Sequence, residues 1–149
     1  MEAERVAIYP GSFNPWHEGH EDILIKSLKL FDRIVVARGV NPTKGYGPSG
    51  LTEGDIIFEK LRNKLIKDYG ESKITAVTFS TLLPELVTKW KAVAVIRGLR
   101  NGHDLQYEMN QQYWYEDLGL KVPVIYLVCG RQLSHISSSA IRSLKEFQE

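Results

Sequence analysis

Residues 6–31 read VAIYPGSFNPWHEGHEDILIKSLKLF, and the change of character along this stretch decides the fold. It opens on VAIY (6–9), an apolar run of strand length. It closes on a helical pattern in which Leu24, Leu28 and Phe31 share one face. Glu21 and Asp22 stand at the end where a helix favours negative charge. Between the two, GSFNPWHEGH (11–20) holds two histidines, two glycines and a proline. A connection that only had to turn needs no imidazoles.

The strand-then-helix order recurs. RIVVARGV (33–40), KITAVTF (73–79), AVAVIR (92–97) and VPVIYLVC (122–129) are nearly continuous Val/Ile-rich runs, as strands covered on both faces should be. Helical patterns occupy 20–31, 52–69, 81–90 and 103–118, and a last helix starts in the serines of ISSSAIRSLKEF. Thr52 suits the N-cap of the second, which then places Ile56, Ile57, Leu61 and Leu65 at helical spacing. A β-α order repeated five times predicts an α/β fold: one Rossmann-like domain over 1–149, its five-stranded parallel sheet carrying helices on both faces. Ligands of such sheets sit beyond the carboxyl ends of the strands, at the topological switch point. The loops to watch are therefore 10–20, 40–51, 79–84, 97–103 and 129–138.

Bulk properties narrow the class. The 149 residues are 43% hydrophobic and 25% charged, with a net charge of +1. Without a basic face, a dedicated nucleic-acid partner is not expected. A lone cysteine, Cys129, excludes an intramolecular disulfide and any Cys-rich zinc site, and its place in VPVIYLVC reads as a small buried apolar residue. No stretch has the length of a membrane span or the apolar region of a signal peptide, so a cytoplasmic protein without a membrane partner is expected.

Three segments carry chemistry. In GSFNPWHEGH, Gly11 lets the backbone approach a ligand, Ser12 adds a hydroxyl, Pro15 directs the chain and Gly19 leaves space beside His20. An imidazole at a helix mouth can share a phosphate with free backbone N–H groups. His17 and His20 are also spaced for metal ligation, but no third ligand is recognisable, and they could instead merely satisfy a turn. In RGLRNGHDLQYE (97–108), Arg97 and Arg100 flank Gly98, so two planar guanidiniums can meet phosphates from one loop. Asp104 can orient one of them, and Glu108 follows one helical turn later; a solvated charged turn is the plainer alternative. In ISSSAIR (136–142), three hydroxyls open a helix where capping needs only one.

GSFNPWHEGH resembles the T/HxGH signature of the nucleotidyltransferase superfamily. RGLRNGHDLQYE resembles the RGLR-x-x-x-D-x-x-YE segment of bacterial phosphopantetheine adenylyltransferases, and ISSSAIR resembles the segment that closes the superfamily's nucleotide site. The resemblance implies adenylyl transfer from ATP to 4′-phosphopantetheine, giving dephospho-CoA and pyrophosphate. It implies His20, Lys44 and Arg97 as catalytic residues. It implies ATP contacts at Ser12, Phe13, His20, Gly98, Leu99, Arg100, Glu108, Leu133, Ser134, His135, Ile136, Ser137, Ser138 and Ser139. Phosphopantetheine contacts fall at Ser12, Lys44, Leu83 and Arg97. Mg²⁺ is expected to arrive with ATP rather than at a resident metal site, and a homo-hexamer is implied. The chain departs from the pattern in its glycine-rich 44–51 loop and at Leu133, where some members carry tryptophan. Two alternatives stay open: a nicotinamide-mononucleotide adenylyltransferase, favoured by Arg142, and a non-catalytic nucleotide sensor.

Overall fold

The chain alternates β1 (Val6–Gly11), α1 (Glu18–Leu28), β2 (Arg33–Gly39), α2 (Glu53–Tyr69), β3 (Ile74–Phe79), α3 (Leu83–Trp90), β4 (Ala94–Leu99), α4 (Gly102–Asp117), β5 (Val124–Val128) and α5 (Ser138–Gln148). A short 3₁₀ turn occupies Arg131–Leu133. The computed structural model describes residues 3–40 and 52–148. Its five strands form one parallel sheet in the order β3-β2-β1-β4-β5.

Strand side chains alternate between the faces, so a sheet covered twice needs apolar residues at every position. Ala7, Tyr9, Ile34, Val36, Ala94 and Ile96 pack with Ile23 and Leu24 of α1 and Phe58 and Leu65 of α2. Their strand neighbours Val6, Ile8, Val35 and Val95 pack with Leu83, Leu86 and Val87 of α3, with Tyr115 of α4 against them. Thr52 caps α2 as expected: its hydroxyl accepts from the Asp55 N–H at 3.1 Å, and the Asp55 carboxylate accepts from the Thr52 N–H at 2.9 Å.

Most boundaries shift by a residue or two from expectation, and three of the shifts have a clear physical reason or consequence. β4 runs on through Gly98 and Leu99, because these pair with Leu127 and Val128 of β5, so three of the four residues of RGLR are strand. α1 begins at Glu18, two residues early, because His17 caps it. It also ends at Leu28, leaving Phe31 buried beyond the helix. From β1 the chain builds outward through β2 and β3, then returns to lay β4 against the other side of β1. That reversal opens the crevice between the carboxyl ends of β1 and β4. No helix among the described residues is long and apolar enough to cross a membrane.

Candidate active site

The mouth of α1 is built from imidazoles. The His17 backbone N–H donates to His20 Nδ1 at 3.1 Å, and the Gly19 N–H donates to His17 Nδ1 at 3.0 Å. This arrangement has the form of a capping box with histidines in place of the usual hydroxyl and carboxylate. The two rings stack with centroids 3.8 Å apart. Because each Nδ1 accepts a hydrogen bond, each Nε2 carries the ring proton. Burial, then His17, Arg97 and Arg100, push the His20 pKa down to about 3, so at neutral pH it is an uncharged N–H donor. His17 is lowered too, by burial and then by Arg100.

Gly19 leaves space as expected, but for His17 rather than His20: a Cβ there would stand 2.8 Å from the His17 ring. Phe13 holds a left-handed φ of 48°, a conformation costing a bulky residue about 1–2 kcal/mol. Packing offsets this, since its buried ring meets Tyr9, Trp16 and His20 edge-on with centroids 5.1–5.2 Å apart.

Across the crevice stand the arginines. Arg97, on the α4 side of β4, gives Nε and Nη2 to the Glu108 carboxylate at 2.9 and 2.8 Å, and Nη1 to the Pro10 carbonyl at 2.6 Å. Burial opposes its charge, but the Glu108 bonds outweigh that and raise its pKa. Arg100 binds Asp104 at 3.1 and 3.2 Å, which makes it the arginine that Asp104 orients. Burial of Asp104 is outweighed by the Arg100 bonds, which hold its pKa below the usual carboxylate value.

α5 closes the third side. Ser137 is its capping hydroxyl, accepting from the Ala140 N–H at 3.1 Å. The surplus serines have structural partners: the Ser138 hydroxyl donates to the Pro15 carbonyl at 2.9 Å, and Ser139 accepts from Arg142 at 3.2 Å. Arg142 also donates to the Asn14 carbonyl. Serines and arginine together tether α5 to the loop before α1.

These walls enclose a cavity of about 460 Å³. Ser12, Phe13 and His20 line it from the first motif, and Arg97, Gly98, Leu99, Arg100 and Glu108 from the second. Ser137, Ser138 and Ser139 line it from the third. Other expected contacts do not fall here. Leu83 opens α3, where it is buried against Val6, Ile8 and Val35, and it is not among the residues lining this cavity. Leu133 packs against the core on the α1 side, and neither it nor Ser134, His135 or Ile136 is among the residues lining the cavity. Glu108 lines the cavity, and each of its carboxylate oxygens accepts a hydrogen bond from Arg97. Lys44 lies outside the described residues.

Sequence reasoning missed Tyr107, Cys129 and Arg142 as lining residues. Cys129 is buried as expected, but its place at the end of β5 brings it to the cavity floor. Arg142 was legible as unusual, without a sign that it would turn back onto Asn14.

A helix mouth with a neutral donor facing arginines across the switch point of a parallel sheet is the arrangement of an α/β nucleotidyltransferase. The chain belongs to the cytidylyltransferase-like family, whose model matches residues 8–144. It is 39% identical over 94% of its length to a phosphopantetheine adenylyltransferase from Flavobacterium johnsoniae, covering 87% of that protein. It is 31% identical over 97% of its length to one from Mycoplasma capricolum, covering 99% of it. Among solved structures, a putative nicotinate-nucleotide adenylyltransferase from Vibrio parahaemolyticus superposes with a TM-score of 0.58. At 21% identity, covering 99% of this chain and 90% of that one, it speaks for the fold alone.

Proposed function

We propose that this protein is a phosphopantetheine adenylyltransferase. A phosphate oxygen of 4′-phosphopantetheine attacks the α-phosphorus of ATP, the bond from that phosphorus to the α,β-bridging oxygen breaks, and pyrophosphate leaves with the electron pair. The products are dephospho-CoA and pyrophosphate, a step of coenzyme A synthesis. The observation that carries this is the convergence of three distant segments, Ser12–His20, Arg97–Glu108 and Ser137–Arg142, on one cavity. The relatives named for this activity support it along nearly the whole chain.

The attacking phosphate is already ionised near neutral pH, so no base is needed and catalysis rests on position and charge. His20 donates its Nε2–H to an α-phosphate oxygen as negative charge gathers there. Arg97, with Lys44, holds the acceptor phosphate. Arg100 and the unpaired N–H groups opening α5 hold the leaving pyrophosphate, and Ser12, Phe13 and the Gly98–Leu99 backbone complete the ATP cradle.

Among the described residues no cluster of three His, Cys, Asp or Glu could ligate a metal. Both cavity carboxylates, Asp104 and Glu108, are engaged by arginines. Mg²⁺ enters with the phosphates of ATP as part of the substrate. Leu105, Met109 and Tyr113, spaced four apart on α4 and exposed, supply an apolar face that supports the homo-hexamer, and the cytoplasm is its setting.

The test is pyrophosphate release from MgATP with phosphopantetheine and nicotinamide mononucleotide as parallel acceptors. Turnover with the first alone is expected. Turnover only with the mononucleotide overturns the substrate, and ATP binding without turnover on either revives a sensor.

A further inference from the structure

Glu108 is the one acidic or basic side chain that the fold buries almost completely among the described residues, at 6% exposed, and it sits in the wall of a cavity meant for phosphates. A bare carboxylate there would repel the ligand. Instead its oxygens take Nε and Nη2 of Arg97 side by side, while the Pro10 carbonyl takes Nη1. A guanidinium has five N–H groups, so these bonds leave one hydrogen on each Nη and fix the plane in which both lie.

The geometry is held from behind. Tyr126 is the β5 partner of Arg97 in the parallel ladder, so the two side chains emerge on the same face. The Tyr126 hydroxyl lies 2.8 Å from Gln112 Oε1 and 3.3 Å from the Glu108 carbonyl. One strand pair thus sets both the arginine and the helical turn that orients it.

We infer that Glu108 is a positioning residue, aiming the two remaining Nη–H groups of Arg97 at the phosphate of the acceptor. The inference rests on the proposed adenylyl transfer for the identity of that acceptor. The brace also offsets the arginine's charge while the cavity is empty, so the fork waits in place instead of swinging toward solvent.

The test compares Glu108→Gln and Tyr126→Phe with the wild-type protein. Glutamine keeps the volume but meets one guanidinium N–H with an amide donor. The KM for phosphopantetheine is expected to rise roughly tenfold or more in Glu108→Gln, with the ATP dissociation constant within about twofold. Tyr126→Phe should give a smaller change of the same kind. A second readout does not need turnover. The Arg97 Nε–H resonance should exchange slowly in the wild type and lose that protection in Glu108→Gln, with inorganic phosphate bound more weakly.

A rise in the ATP dissociation constant with an unchanged acceptor KM would make Glu108 a nucleotide ligand and overturn the inference. Equal losses on both substrates would reduce it to a structural residue and overturn the inference as well. A wild-type protein inactive on phosphopantetheine would count against the proposed activity. The resonance and phosphate binding would still decide whether Glu108 positions Arg97. If Glu108→Gln does not fold, Tyr126→Phe carries the comparison.

Discussion

Acid should destabilise this protein through His20 in particular. The ordinary histidine value of 6.5 stands for the unfolded chain, and the fold lowers it to about 3. Between those values the unfolded chain binds a proton that the folded one refuses, so stability is intact above the upper value and falls as pH drops through it. At pH 5 the unfolded imidazole is almost wholly protonated and the folded one almost wholly neutral, a loss of about 2 kcal/mol relative to pH 8. His17, lowered in the same direction, adds to it. In His20→Asn the amide oxygen stands near the position of Nδ1 and can still accept from the His17 N–H, so the cap survives while the titrating group goes. Urea denaturation of both proteins at pH 8 and pH 5 measures the effect. The wild type should lose about 2 kcal/mol more than the variant over that interval. Equal losses would mean that His20 is not held neutral, and its role as an uncharged Nε2–H donor would fall with that.

Other consequences are as direct. His20→Ala should lower kcat by roughly 10²–10³, the usual cost of one transition-state donor, with the ATP dissociation constant nearly unchanged by calorimetry. A parallel collapse of ATP binding would make it a binding residue. Gly19→Ala drives a Cβ to 2.8 Å from the His17 ring; a loss of about 1–3 kcal/mol of stability on thermal denaturation is expected, with reduced turnover. Removing the α5 tether in Ser138→Ala with Arg142→Met should raise the KM for ATP severalfold and speed amide exchange at the start of α5. Unchanged exchange would show that the Pro15 and Asn14 bonds do not hold that helix.

The order of elements and the kind of chemistry were legible along the chain. Continuous Val/Ile runs alternating with 3.6-period patterns leave a parallel sheet as the arrangement that buries both faces, and the structure has it. GSFNPWHEGH, RGLRNGHDLQYE and ISSSAIR stood out because a helix mouth, a paired fork and surplus hydroxyls are costly choices for a plain loop. What neighbours what was not legible. The order β3-β2-β1-β4-β5 follows from chain reversal, and only that order brings residues 12, 97 and 138 to one cavity. Side-chain partnership was equally hidden. Glu108 and Arg97 are eleven residues apart, and their bonds depend on how α4 crosses β4 and on Tyr126 in β5. Leu83 is a case of the same kind, since its place against Val6, Ile8 and Val35 is set by how α3 lies on the sheet. Periodicity is a property of neighbours in the chain, whereas the direction of a charged side chain's hydrogen bonds is fixed by groups that only folding brings near.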